Sequence, residues 1–362
     1  MSPGGVMSLF LNRRSFLAVS AVAMASGCAA GRADAAGQGL VFDALGEMRT
    51  TYDMALVDQI IAAGTRAIAV TLTDPKVAES QAFDAFLKDH QAYESYYAAH
   101  ADRFIRARSV ADIDRAVAEN KIAVFYNLQD SAPAGRDPEG VARLKALGVT
   151  SIQLTYNTLN AAGAGCFESN DPGVTPFGRE LIARIEAERV LLDLSHAGMT
   201  TMADAIAIAT RPMIVSHTAC KALRDHRRNT TDDNMRAVAD KGGLVGITQI
   251  RTFLTDAKTD NLGVYFQHIA HAVRLIGADH VCIGSDRDHR VVPDTPEELR
   301  VLLQEEGSQI QPDDWPLYLD GLNGPRRMET VRQGLEGLGL SAPDIDKIMG
   351  GNLRRLYQDV VG

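Results

Sequence analysis

The feature that most limits the fold of this 362-residue chain is a regular alternation of short apolar runs with amphipathic stretches. Eight runs have the length and the β-branched content of buried strands: 40–43, 67–73, 122–128, 149–155, 190–194, 212–215, 244–248 and 280–283. Helical spacing follows most of them, often with glycine at its end. Eight such units predict an α/β fold of the (β/α)8 TIM-barrel type. A doubly wound sheet is less suitable, because the turn at 43–47 lacks a glycine-rich phosphate loop.

The amino-terminal segment has the features of an export signal and is not expected to be part of the folded domain. Two arginines, Arg13 and Arg14, precede an apolar run at 18–25 and are typical of a twin-arginine signal. An Ala-x-Ala site at 33–35 suits cleavage, whereas 25–28 resembles a lipoprotein box that would anchor the chain at Cys28. We therefore expect residues 1–36 to be a signal and 37–362 to be a single barrel domain with closing helices. The predicted location is periplasmic or extracytoplasmic, with membrane contact only if Cys28 is lipidated.

Charge and cysteine content exclude several classes of protein. The net charge of −9 and the absence of a basic stripe exclude nucleic acid as a partner. Cys166, Cys220 and Cys282 remain after the signal, which excludes a disulfide scaffold. A helical stretch over 81–108 is rich in tyrosine and predicts either packing or an interface, which leaves a homodimer open.

Polar residues follow the predicted strands, and two histidines stand out among them. His196 and His217 each end a short apolar run in a Ser-His pair. Asp286 comes after the last strand, and the carboxyl ends of barrel strands meet at one mouth. Two imidazoles and a carboxylate are ligands suited to a divalent metal such as zinc, although other barrels use histidine for acid–base chemistry.

These residues resemble the membrane (renal) dipeptidase family, peptidase M19. The resemblance rests on motifs in the same order along the chain: 193–196, 216–217, 226–229 with Asp232, 242–243, 283–288 and 350–352. It implies an amidohydrolase-like barrel with a two-zinc site that hydrolyses dipeptides. By this resemblance His196 and His217 are ligands of one metal, Arg228 meets the substrate carboxylate, with Asn229 beside it, and Asp286 lies near metals and substrate.

The chain departs from the family pattern in three places, which involve four residues. The first strand usually ends in Asp-Gly-His-Asn-Asp, whose histidine and last aspartate hold the other zinc, and this chain has Leu45 and Glu47 there. In the family a glutamate bridges the two metals, and this chain has Gln129 in its place. A substrate-binding histidine of the family is replaced by Tyr156. Leucine cannot bind a metal, and an amide cannot balance two dications, so we expect zinc or another divalent ion in at most one copy, or none. Glu47 is either an oxygen ligand or a surface residue.

The leading hypothesis is an exported dipeptidase-like hydrolase of dipeptides or small peptide amides. One metal would be held by His196 and His217 with help from Gln129, Asp286 or Glu47. Asp286 would accept the proton of the attacking water, Arg228 would fix a carboxylate and Tyr156 would steady the oxyanion. The alternatives are a metal-free relative that tailors a peptide-derived natural product, such as a siderophore precursor, by proton transfer, and a binding protein without chemistry. Arg228 has an alternative structural role as the partner of Asp232 or Asp233.

Overall fold

A computed structural model describes residues 39–258, 261–306 and 310–362, and its centre is a parallel β-barrel. The strands are β1 (Val41–Gly46), β2 (Thr65–Thr71), β3 (Phe104–Arg106), β4 (Ile122–Leu128), β5 (Val149–Gln153), β6 (Leu191–Asp193), β7 (Ile214–Thr218), β8 (Leu244–Ile247) and β9 (Val281–Ile283). They are almost completely buried, as expected for a sheet covered by helices on its outer face.

Eight of these strands form the barrel in the order β1-β2-β4-β5-β6-β7-β8-β9, and β3 pairs with the first part of β4. The ring is nearly closed by the segment after β9. The amide of Asp286 donates to the carbonyl oxygen of Leu45 at 2.8 Å, and the amide of Glu47 donates to that of Arg287 at 3.2 Å. The predicted (β/α)8 barrel is therefore confirmed, and its mouth is tied together at the ends of β1 and β9.

Helices surround the barrel and connect its strands. They are α1 (Met54–Ala62), α2 (Glu79–Ala99), α3 (Val110–Glu119), α4 (Gly140–Ala146), α5 (Pro176–Ala187), α6 (Met199–Ile208), α7 (Asp232–Asp240), α8 (Arg251–Leu254), α9 (Leu262–Ile276), α10 (Pro296–Glu306), α11 (Arg327–Gly337), α12 (Ala342–Asp346) and α13 (Asn352–Val360). Their starts follow local sequence rules. Asp53 caps α1 by accepting from the amide of Leu56 at 2.8 Å, a contact of the kind that contributes about 1 kcal/mol.

The predicted helix over 81–108 was wrong in its last nine residues, 100–108. Helix α2 ends at Ala99, and the chain turns into the short strand β3. Phe104 and Ile105 are both buried, and a run this short fits a helical apolar pattern as well as a strand. Of the two roles predicted for this tyrosine-rich stretch, packing and an interface, the structure shows packing for Tyr97. Its ring centroid lies 5.0 Å from that of Phe104.

The carboxyl-terminal segment supplies the predicted closing helices. A single π turn at Lys347–Gly351 precedes α13, and Gly350 there lies so close to β1 that a Cβ atom would stand 2.7 Å from the carbonyl oxygen of Leu40. Asn352 begins α13 and donates to the carbonyl oxygens of Ala278 and Val281 at 2.7 and 2.9 Å. These contacts attach the last helix to the amino-terminal end of β9.

Three further observations bear on the predictions. The cysteines Cys166, Cys220 and Cys282 are all free and buried. Among the described residues, no helix is both long enough and apolar enough to cross a membrane. The predicted export signal and the lipoprotein box lie in 1–38, outside the described residues, so both stay predictions.

Candidate active site

The two predicted histidines meet at the mouth of the barrel. His217 lies within β7, and His196 lies three residues beyond the end of β6. Because β6 and β7 are neighbours in the sheet, the imidazoles come together with their Nε2 atoms 2.9 Å apart. Both side chains are buried, His217 completely. The structure thus assembles the histidine pair that the sequence indicated.

The other nitrogen of each imidazole is held by a buried polar side chain. The Nδ1 atom of His196 lies 2.6 Å from Oδ1 of Asn157, which can only accept, so Nδ1 carries the hydrogen. The Nδ1 atom of His217 lies 2.9 Å from Oγ of Ser216, whose hydroxyl donates to Oδ2 of Asp193 at 2.5 Å. With an ionised Asp193, both Nδ1 atoms therefore donate, and both Nε2 lone pairs face each other. This is the arrangement by which proteins orient histidine ligands of metals.

Burial also sets the charge of the pair. Burial, assisted by the nearby positive charge of Arg228, lowers the pKa of His196 and of His217 well below the usual value for histidine. Both imidazoles are consequently neutral at neutral pH. Neutral imidazole is the form that binds a metal or accepts a proton.

Two site residues have an unusual backbone conformation. His196 and Asp286 have φ angles of 66° and 54°, in the left-handed region that residues other than glycine seldom adopt. Each lies three residues beyond the end of a barrel strand, His196 after β6 and Asp286 after β9, where this sharp turn redirects the chain at the mouth. Such conformations are held in place by surrounding structure and concentrate at functional sites.

A cavity of about 520 Å³ opens at this mouth and brings the remaining predicted residues together. Its lining includes six of the predicted site residues: Glu47, Gln129, Tyr156, His196, Arg228 and Asp286. The volume is typical of a site for a small organic ligand. The charged side chains in its lining are suited to a small polar molecule.

Arg228 faces this cavity rather than forming the structural ion pair that was the alternative. Asp232 instead contacts His271 at 2.9 Å, and Asp233 contacts Arg236 at 3.1 Å. The Arg228 guanidinium lies over the ring of Phe253, 5.1 Å from its centroid. A planar guanidinium beside neutral imidazoles is suited to a substrate carboxylate.

Tyr156 and Asp130 support the same wall of the cavity. The ring of Tyr156 stacks on that of His196 with centroids 4.2 Å apart. Its backbone amide donates to Oδ2 of Asp130 at 2.8 Å, which fixes the loop after β5. Tyr156 is thus positioned beside the histidine pair, as its proposed role at the oxyanion requires.

The residues at the predicted second metal position do not form a metal site. Leu45 is an apolar, buried residue of β1, and the amide of Gln129 donates to Oγ1 of Thr71 at 2.8 Å. Glu47 reaches the cavity, but its carboxylate forms an ion pair with Arg49, which would have to break before Glu47 could bind a metal. In the described part of the chain, no group of three or more His, Cys, Asp or Glu side chains is arranged to hold a metal. The histidine pair is thus the set of imidazole donors that the described residues bring together at this mouth, and the number of metal ions stays a prediction.

Asn229 does not contact the cavity, in contrast to the prediction. It is fully buried, and its amide donates to the carbonyl oxygens of Arg224 and Phe253 at 2.8 and 2.7 Å. These bonds brace the loop that carries Arg228. The sequence analysis also gave no role to Asn157, Asp193 or Arg287, although Asp193 ends β6 and the other two lie four residues beyond the ends of β5 and β9.

Together, the parallel barrel and a polar cavity at the carboxyl ends of its strands, with a buried histidine pair, define a TIM-barrel hydrolase of the amidohydrolase type. A family model for membrane dipeptidase, peptidase family M19, matches residues 46–303, and the chain belongs to this family. It is accordingly a dipeptidase-like hydrolase.

Similar proteins support this assignment. The chain is 32% identical over 206 residues to an uncharacterized protein in the pqqA 5′ region of Klebsiella pneumoniae, a match that covers 54% of this chain and 75% of that protein. It is 30% identical over 192 residues to the dipeptidase verJ of Clonostachys rogersoniana, covering 52% of this chain and 49% of that protein. An amidohydrolase structure from Pseudomonas aeruginosa matches with a TM-score of 0.78 and 26% identity, covering 90% of this chain and 97% of that one.

Proposed function

We propose that the protein is an exported hydrolase that cleaves a dipeptide or a small peptide amide with at most one divalent metal ion. The observation that carries the proposal is the pair of neutral imidazoles with Nε2 atoms 2.9 Å apart and both Nδ1 atoms held by acceptors. His196 and His217 would hold the ion, with Gln129 or Asp286 as an oxygen donor. Zinc or another divalent ion would supply Lewis acidity to the reacting carbonyl and water.

The other residues of the cavity have roles that follow from their positions. Arg228 binds the carboxylate of the dipeptide through the N–H groups of its guanidinium. Asp286 accepts the proton of the attacking water, and Tyr156 donates to the oxygen of the scissile carbonyl. The likeness to a dipeptidase from Clonostachys rogersoniana supports a dipeptide as substrate, and the Arg13-Arg14 pair supports export.

The test is a panel of dipeptides assayed with zinc and after complete chelation. We expect turnover that requires the metal and that falls about 100-fold or more in kcat for Asp286→Asn, since a positioned acid or base contributes that much. Arg228→Met should raise KM far more than it lowers kcat, because it removes a ground-state contact. Arg300→Met is the matched control, since Arg300 lies on the exposed side of α10 and pairs with Glu297.

A second candidate function has its own observation. If Asp193 is protonated, which its burial favours by raising its pKa, the hydrogen bonds reverse. Asp193 then donates to Ser216, Ser216 to His217 and His217 to His196, which makes a continuous path for a proton. Such a path suits a metal-free relative that tailors a peptide-derived metabolite by proton transfer. Turnover that survives complete chelation would favour this candidate over the hydrolase.

A further inference from the structure

Arg287 is a buried cation with unused hydrogen-bond donors. It lies four residues beyond the end of β9, next to Asp286, is 6% exposed and lines the cavity. Its guanidinium lies 5.3 Å from the centroid of the Tyr318 ring. The Nε and Nη2 atoms are buried and have no hydrogen-bond partner among the residues that the structure describes. Buried donors without partners are rare in proteins because they are costly, so this one calls for an explanation.

Two of the acidic residues whose charge acts on Arg287, Asp288 and Glu47, have other partners. Asp288 accepts from the Tyr52 hydroxyl and from Nε of Arg290, the latter at 2.8 Å. Glu47 is paired with Arg49. Neither acid forms an ion pair with Arg287. The guanidinium is therefore not held in the structure by a carboxylate of its own.

Arg287 is nevertheless charged at neutral pH. Burial, with a contribution from the neighbouring charge of Arg327, lowers the pKa of Arg287 to about 10. Arg327 itself is occupied beneath the mouth, where it donates to Oγ of Ser285 at 3.1 Å and lies 3.6 Å from the carboxylate of Asp43. Arg287 thus presents a permanent positive charge to the cavity.

The same cavity contains a second buried cation on another strand end. Arg228 follows β7 and is 4% exposed. Within the described chain, neither Arg228 nor Arg287 forms an ion pair with a carboxylate, whereas Arg49 and Arg290 both do. A dipeptide has only one terminal carboxylate, which under the proposed function is bound by Arg228. A second cation with free donors needs a second anionic group to balance it.

We propose that Arg287 is a specificity-determining residue that binds a second carboxylate, so that the preferred substrates are dipeptides with an acidic side chain. This inference rests on the proposed dipeptide hydrolase. Arg287 lines the cavity that would hold the substrate, and a planar fork of donors matches a carboxylate.

Isosteric pairs of dipeptides test the proposal. The pairs are Ala-Glu with Ala-Gln, and Glu-Ala with Gln-Ala, each measured for kcat/KM and for Kd by calorimetry on the full chain. We expect the acid of at least one pair to be preferred over its amide by about 10- to 100-fold, the contribution of a charge-assisted hydrogen bond. Arg287→Met should abolish this preference, because the acid loses a charge-assisted contact that its amide does not make. Arg287→Lys should restore part of it.

The controls distinguish a failure of the Arg287 proposal from a failure of the proposed hydrolase function. Arg300→Met removes an exposed arginine of α10 and should keep the full preference. Thermal unfolding of each variant shows whether it is folded, and Arg287→Lys replaces Arg287→Met if the latter is not. No acid preference in the wild type, or equal losses for acid and amide in the variant, overturns the proposal. If no dipeptide is hydrolysed but the preference in Kd depends on Arg287, the hydrolase proposal fails and the role of Arg287 stands.

Discussion

Replacement of Asn157 by alanine tests whether the histidine pair is a metal site. The Asn157 side chain accepts from Nδ1 of His196 at 2.6 Å and fixes the tautomer in which Nε2 is free to bind. Alanine removes this acceptor and leaves the ring in contact with Tyr156, on which it stacks, and with His217. We therefore expect Asn157→Ala to weaken zinc binding without removing either ligand.

The expected size follows from the role of such acceptors. Loss of a side chain that orients a histidine ligand typically weakens metal affinity by about 10–100-fold. Zinc at about 100 times the wild-type Kd stabilises the folded wild type by about 2.7 kcal/mol. If Kd rises about 30-fold, the same zinc concentration stabilises the variant by only about 0.9 kcal/mol. Denaturant unfolding with and without zinc measures this difference, and calorimetry measures Kd directly.

Two further variants make the result decisive. Asn157→Asp keeps an acceptor and makes it a carboxylate, so it should lower the stability of the metal-free protein but bind zinc at least as tightly as the wild type. Asn352→Ala is the matched control, because it removes an equally buried asparagine at the other end of the barrel. It should cost about 1–3 kcal/mol of stability and leave the zinc affinity unchanged. An unchanged Kd in Asn157→Ala would refute the reasoning.

Two other predictions concern stoichiometry and pH. Elemental analysis of protein prepared in zinc should give about one equivalent or less, lost in His217→Ala, because two imidazoles are the core of a single site; two tightly held equivalents would contradict this. Burial lowers the pKa of His289 well below its usual value, so below about pH 6.5 the unfolded chain binds a proton that the folded chain does not, and stability falls as pH falls. Relative to His289→Gln, the wild type should lose about 1.4 kcal/mol between pH 7.5 and 5.5 in denaturant unfolding, and equal pH profiles would disprove the assignment.

The fold was predictable because its strands have a strong local signal. Seven of the eight predicted runs share at least three residues with a barrel strand. The eighth, 212–215, covers only the first part of β7. The sequence could not give the exact first and last residues of the strands and helices. The chain over 104–106 becomes strand β3 because the edge of β4 is available there, which is a tertiary contact and not a local preference.

The candidate site was predictable where its residues lie at strand ends or in a family motif. His196, His217, Asp286 and Tyr156 were identified by strand-end position and Arg228, in the loop after β7, by the family resemblance. The error for Asn229 arose because loop carbonyls capture its amide, a contact that no motif shows. The supporting hydrogen bonds of Asn157 and Asp193 depend on distances across neighbouring strands, which the sequence does not contain.

The three departures from the family pattern form one consistent change in the charge of the mouth. Leu45 and Gln129 remove an imidazole and a negative charge from the side where the family places the other ion. On that side Arg49 neutralises Glu47, and the buried Arg287 adds positive charge near Asp286. Positive charge on this side of the mouth opposes the binding of a second dication. Arg228 lies beside the histidine pair, so under the proposed function Arg228 and Arg287 would both bind anionic groups of the substrate, and Arg287 would be the one that selects it.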